Sequence, residues 1–160
     1  MIEVQVFIFS SYVPDDLGAD TTAIALRATF DFLIRHPKHM KRLQAEIDEY
    51  YDTKALTAPI TYAQCLELPF LQAVIKEAGR LHPSIMYQLP RYAPPEGIII
   101  DGHFLPEGTE IGISPLSMNR DTAIFEIDAD EFRPERWMEN PEKARYMDSM
   151  LTTVFSTVGK

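Results

Sequence analysis

A single cysteine, Cys65, in 160 residues excludes an intrachain disulfide and any zinc site built from several thiolates. A reducing compartment is therefore allowed. Basic side chains are also scarce. Fifteen Lys and Arg against 24 Asp and Glu set the formal charge at −9, the wrong sign for wrapping nucleic acid or an anionic lipid surface. No stretch approaches the roughly 20 apolar residues of a membrane-crossing helix, so the sequence predicts a soluble chain without a spanning segment. The short run Val4, Val6, Phe7, Ile8 and Phe9 carries Glu3 and no basic flank, which argues against a secretory signal. Also missing are a Gly-rich phosphate loop and a Gly-x-Ser-x-Gly turn. His36, His39, His82 and His103 lack His-x-x-x-His spacing, so surface or capping roles are expected of them.

What is present suits one globular domain or a piece of a larger one: 46% of residues are hydrophobic and 24% charged. Four of the 12 prolines lie in residues 1–80 and eight in 81–160. Acidity shifts with them: 8 basic and 11 acidic residues come first, then 7 and 13. A helical half followed by a turn-rich half is the expectation. Leu26, Phe30, Leu33 and Ile34 recur at helical spacing over residues 17–35, and Pro37 forces a stop. Pro37 then suits the first turn of a second helix with the stripe Met40, Leu43, Ile47 and Tyr50. Its charges, Glu46 among them, read as a solvated face. Thr61-Tyr62-Ala63-Gln64 has capping-box spacing. From Phe70 to Leu81 the apolar positions Phe70, Leu71, Val74, Ile75, Ala78 and Leu81 form a strong amphipathic pattern, closed by Pro83.

The period then changes. Ile98-Ile99-Ile100, Asp101-Gly102 and His103-Phe104-Leu105 predict a hairpin, because Asp-Gly tolerates the positive φ angles of a type I′ turn. Thr109 to Ser114 reads as a third short strand, and residues after Asn119-Arg120-Asp121 as irregular. The fold class expected is mainly α with a small antiparallel β-meander.

Glu77 and Arg80 form the most informative pair. On a helical wheel Glu77 lies about 20° from Phe70 and about 40° from Leu81, so it borders the apolar stripe. A carboxylate turned toward a core must be paired and hydrogen-bonded, whereas a surface i,i+3 ion pair needs no such support. Both readings fit the spacing, and Arg133 and Arg136 around Pro134-Glu135 supply further guanidinium groups. Gly18-Ala19-Asp20-Thr21-Thr22 groups weak helix formers beside an apolar helix. It reads either as Asp20 capping a helix that starts at Thr21, or as a polar notch that positions a ligand or passes protons. Cys65 is expected as a buried, inert thiol, and Trp137 as a core anchor.

Taken in order, these segments resemble the cytochrome P-450 family, the haem-thiolate monooxygenases. Gly18 to Thr22 is similar to its oxygen-binding helix, Glu77-Ala78-Gly79-Arg80 to its Glu-x-x-Arg helix, and Phe132-Arg133-Pro134-Glu135-Arg136-Trp137 to its Pro-Glu-Arg-aromatic segment. The resemblance runs from about residue 15 to about residue 150. It implies a C-terminal-half fragment of the cytochrome P-450 fold, a single partial domain over 1–160. Within it, 1–14 would be an atypical start, 15–82 helical, 83–118 the meander and 119–160 irregular.

The resemblance also implies roles. Thr21 would hydrogen-bond the bound oxygen and Asp20 would help relay protons to it. Gly18 would leave room at the haem face, and Arg91 would partner a haem propionate. Glu77, Arg80 and Arg136 would form a buried triad that fixes the loop carrying the iron ligand. The cofactor implied is haem; the partners are an electron-donating reductase and a small lipophilic substrate. Endoplasmic-reticulum membrane association is implied for an intact eukaryotic relative. The family's cysteine loop is expected after the Pro-Glu-Arg segment, but Phe155-Ser156-Thr157-Val158-Gly159-Lys160 holds no cysteine, so no metal ligand is assigned. Without thiolate donation the push that favours O–O cleavage is lost. The sequence thus predicts a haem-dependent monooxygenase by resemblance, inactive as this fragment. The alternatives are a non-catalytic remnant and a small acidic interaction module.

Overall fold

The computed structural model describes residues 19–54 and 60–153. Helix α1 (Ala19–Arg35) ends two residues before Pro37, which opens α2 (Pro37–Lys54). Proline is suited to a first helical position, because its missing N–H would have no partner there. Helix α3 (Tyr62–Leu66) begins with a reciprocal capping box, in which Gln64 N donates to Thr61 Oγ1 at 3.3 Å and Thr61 N to Gln64 Oε1 at 2.8 Å. Helix α4 (Pro69–Leu81) is the centre of the molecule and buries Phe70, Ala73, Val74, Glu77, Ala78, Arg80 and Leu81.

Two apolar clusters meet on α4. Phe70, Val74, Ala78 and Leu81 pack with Leu33 of α1, Leu43 of α2 and Phe132. Ala73 packs on the other side with Phe125, Ala129, Trp137 and Met147. Glu77 and Arg80 lie between these clusters, which is why neither reaches water.

The stripe expected on α1 is not the one that is covered. Leu33 is buried, but Leu26, Phe30 and Ile34 are exposed. The inward line runs through Thr21, Ile24, Ala28 and Phe32 instead. The helix carries apolar residues on two faces, and periodicity alone cannot say which face meets α4. Ile75 likewise points outward, at 49% exposure.

Glu46 also departs from its expected place on a solvated face. The α4 N-terminus has Leu68 at its cap position and no side-chain cap of its own. Glu46 of α2 supplies one from 24 residues away: Oε1 accepts from Phe70 N at 2.8 Å and Oε2 from Leu71 N at 2.9 Å. An anion at this end also complements the helix dipole. Glu46→Ala is expected to cost about 1–2 kcal/mol, the usual loss for a missing cap. Urea unfolding followed by circular dichroism checks this, and a loss under about 0.5 kcal/mol would mark the contact as incidental.

Among the described residues the molecule is mainly helical with a small antiparallel β portion, as expected, and that portion is two separate two-stranded sheets instead of one continuous meander. Strand β1 (Arg91–Tyr92), β2 (Ile98–Ile100), β3 (His103–Leu105) and β4 (Glu110–Ile111) follow in order. The hairpin pairs Ile98 with Leu105, Ile99 with Phe104 and Ile100 with His103. Asp101 and Gly102 take φ angles of 49° and 76°, as a type I′ turn requires. The expected strand from Thr109 to Ser114 shrinks to β4 and closes back onto β1, with Arg91 opposite Ile111. At two residues, β1 is too short to show a period.

Gly97 is needed twice over at the foot of the hairpin. Its φ is +71°, and a Cβ there would sit 2.5 Å from the Phe104 ring and 2.8 Å from Leu105 O. At Gly102 the φ is +76° but the space is open. Gly97→Ala is therefore expected to lower the thermal midpoint more than Gly102→Ala, because a clash adds to the backbone strain of about 1–3 kcal/mol. Equal shifts would refute the contact with Phe104.

Residues 119–160 are expected as irregular, but their described part, 119–153, contains helices over much of its length. After α5 (Pro115–Met118) come α6 (Thr122–Phe125), α7 (Arg136–Glu139) and α8 (Pro141–Thr153). The signal for α8 is present in Asn140-Pro141: Asn140 Oδ1 accepts from Glu142 N at 3.0 Å and Lys143 N at 3.1 Å, just ahead of a first-turn proline. Phe155 and Val158 lie outside the described residues.

Candidate functional site

The Glu77 carboxylate is fully buried and accepts five hydrogen bonds. Oε1 receives Arg80 Nη2 at 2.8 Å, Arg136 Nε at 2.9 Å and the backbone N–H of Arg133 at 3.0 Å. Oε2 receives Arg80 Nε at 2.9 Å and the Trp137 indole Nε1 at 2.9 Å. The helix supplies the first partner through i,i+3 spacing, while the Pro-Glu-Arg-Trp segment brings the others to the same point. A buried charge is tolerable only when its lone pairs are taken up in this way.

The arginines are equally well occupied. Arg80, 0% exposed, uses Nη1 on Asn119 O (2.6 Å) and Ala129 O (2.5 Å), and its remaining Nη2 donor on Glu131 O (3.1 Å). Arg136 uses Nη1 on Phe125 O (2.5 Å) and Asp128 Oδ1 (3.2 Å), and Nη2 on Asp128 O (3.0 Å) and Glu131 O (3.4 Å). Every guanidinium N–H of Arg80 and Arg136 therefore has an acceptor. Asp128, partly exposed, supplies the second negative charge of the cluster. The acceptors are mostly main-chain carbonyls of residues 119–131, so the two arginines hold that strap by its backbone. Asn119 answers from the strap, its Nδ2 donating to Arg80 O at 3.0 Å.

Further out, Arg133 pairs with Glu126, Asp128 (2.7 Å) and Glu139 (3.0 Å), and Lys143 of α8 also pairs with Glu126. The hydrogen bond from Lys143 holds the Glu126 carboxyl below its ordinary range, with Coulombic help from Lys143 and Arg133. A carboxyl lowered in the fold stabilises above its unfolded pKa, and the gain is lost as pH falls through the folded value. The thermal-midpoint gap between wild type and Glu126→Gln is therefore expected to be open at neutral pH and to close below about pH 4. A gap that does not change with pH would rule out this coupling.

Two residues of the cluster carry roles the sequence reading did not assign. The Trp137 indole was legible in principle, since a buried indole N–H needs an acceptor. The contribution of Asn119 was not, because nothing local reveals which backbone group lies opposite.

The sequence model of the family described as Cytochrome P450 matches residues 18–152. The chain belongs to the cytochrome P450 family. It is 42% identical over 134 residues to the cytochrome P450 monooxygenase ACRTS1 of Alternaria alternata, a match covering 84% of this chain and 36% of that protein. Pisatin demethylase of Fusarium vanettenii is 46% identical over 122 residues, 76% of this chain and 23% of its own length. Cytochrome P450 monooxygenase cicH of Emericella nidulans is 41% identical over 136 residues, 85% and 27% respectively. This P450 chain thus spans about a quarter to a third of the length of the curated relatives it matches.

Of the remaining candidate residues of the P450 chain, the described ones, Asp20, Thr21 and Arg91, are not gathered at the Glu77 cluster. Asp20 lies within the first turn of α1 and is exposed, so it does not cap a helix starting at Thr21. Thr21 is half-buried, and its carbonyl accepts from Ser84 Oγ at 2.8 Å, which ties α1 to the chain just past α4. Gly18 lies outside the described residues. Arg91 is exposed, with Nη1 donating to Leu89 O (3.3 Å) and Pro90 O (3.0 Å). Cys65, expected as buried, is half-buried on α3, where its carbonyl accepts from Gln72 Nε2 at 3.0 Å.

No helix among the described residues is long and apolar enough to cross a membrane. Haem is the cofactor of intact family members. His36 Nδ1 is engaged 2.7 Å from Phe32 O, and His39 Nδ1 lies 3.4 Å from Glu135. No group of three or more His, Cys, Asp or Glu among the described residues is arranged to hold a metal.

Proposed function

We propose that this chain is the clamp-bearing part of a haem-dependent monooxygenase. The whole protein would insert one oxygen atom from O2 into a small lipophilic substrate and release the other as water, with two electrons from a reductase and two protons. The observation that carries the reading is the saturated Glu77 carboxylate between Arg80 and Arg136. In this proposal the three residues are a structural device. They lock the strap 119–131 against α4 and so set where the chain beyond α8 departs. Asp20 and Thr21 would handle protons and the bound oxygen, Gly18 would leave space at the haem face, and Arg91 would turn toward a propionate.

A longer polypeptide carrying a cysteine loop after Lys160 tests this. Loaded with haem and reduced, it is expected to show the red-shifted carbon-monoxide difference band of a thiolate-ligated iron. A folded, haem-loaded protein without that band would remove the enzyme reading. The 160-residue chain itself is expected to bind no stoichiometric haem on titration. Tight binding would instead assign an axial ligand within these residues.

A further inference from the structure

The indole of Trp137 does more than fill the core. We infer that Trp137 is a positioning residue of the clamp: its N–H holds Oε2 of Glu77 and thereby sets the plane in which the carboxylate meets both arginines. This rests on the clamp reading above and extends it to a neutral donor.

The geometry separates the two carboxylate oxygens. Oε1 has three donors, from Arg80, Arg136 and the Arg133 backbone, whereas Oε2 has only Arg80 Nε and Trp137 Nε1. Without the indole, the donors crowd one oxygen. The carboxylate could then turn about its terminal bond, whose torsional preference is broad, and the side-by-side match of Arg80 Nε and Nη2 would be lost. Trp137 is itself held from several directions. Its ring packs with Phe125, Ala73 and Met147. On the outer side the Lys76 ammonium lies 5.6 Å from the ring centroid and is paired with Asp148 of α8 at 3.1 Å. A rigid ring with one fixed donor suits an orienting role better than a mobile hydroxyl or amide would.

The chain contains one tryptophan, so the test is direct. A 15N-labelled sample of the 160-residue chain is expected to show a single indole cross-peak. That peak should be displaced from the free-indole position and should exchange with D2O far more slowly than an exposed indole does. A cross-peak at the free position with solvent-like exchange would overturn the inference, whether the chain is folded or not.

A second arm separates the hydrogen bond from packing. Placing 3-benzothienylalanine at position 137 swaps the N–H for sulfur in a ring of nearly the same shape. It is expected to lower the thermal midpoint by about 5 °C, the shift typical of one lost charge-assisted hydrogen bond in a domain of this size. Fluorinated tryptophan, a stronger donor, should retain the native midpoint. A sulfur analogue as stable as wild type would reduce Trp137 to a packing residue. Neither arm uses haem, so failure here leaves the monooxygenase reading standing, and failure of the carbon-monoxide band leaves the indole hydrogen bond standing.

Discussion

Replacing Glu77 by Gln is expected to destabilise the fold by about 3–5 kcal/mol, the cost of breaking a buried ion pair by removing one partner. Two guanidinium groups would then face each other at the core, offset by Asp128 at 3.2 Å and Glu126 at 4.0 Å, both at the cluster's edge and both shared with Arg133. The substituted amide would also present an NH2 group to donors that need an acceptor. Since a domain's whole stability is about 5–15 kcal/mol, the variant should lie near the limit of folding. Chemical denaturation of the 160-residue chain measures the loss. A Glu77→Gln midpoint close to wild type would show that the buried carboxylate is dispensable. The effect should also be non-additive. With Arg80 and Arg136 both replaced by Met, removing Glu77 should cost far less than it does alone, because residues of one network share their interaction energy.

Arg136→Lys is expected to cost about 2–4 kcal/mol although it keeps the charge, since several hydrogen bonds of the usual net worth are lost together. A lysine ammonium could approach Glu77 Oε1, but its donors radiate from one atom. It cannot also span Phe125 O, Asp128 O, Asp128 Oδ1 and Glu131 O, which the planar guanidinium reaches together. The released carbonyls lie in the strap 119–131, so amide hydrogen exchange should quicken there before the rest of the molecule loosens. Uniform exchange across α4 and the strap would contradict a backbone clamp, and a lysine variant as stable as wild type would show that charge alone suffices. Arg80 is equally irreplaceable by lysine, since it bonds to carbonyls of Asn119, Ala129 and Glu131.

These variants bear on how the site could be read in advance. Glu77 was legible because its angle on the helix sets it beside Phe70 and Leu81, and Arg80 because it lies one turn on. Arg136 could be named through its motif, but the five strap carbonyl groups bound by the two arginines could not. Every residue owns a carbonyl, so sequence carries no mark of which ones turn inward. The Glu46 cap was hidden for a related reason. A carboxylate on a charged helix face looks the same whether it meets water or the bare N–H groups of α4.

The sequence by itself determined where segments begin and turn. Pro37 opens α2, Thr61 and Gln64 box the start of α3, Pro69 opens α4, and Asp101-Gly102 reverses the hairpin. Each depends on φ angles or hydrogen bonds within a few residues, so local chemistry suffices. Tertiary structure alone decided which face of α1 is covered, that β4 returns to β1, that Glu77 is the acceptor for the Trp137 indole, and that Asn119 joins the buried charges. Those outcomes depend on burial and on acceptors contributed by distant segments, whose identity exists only once the helices have packed.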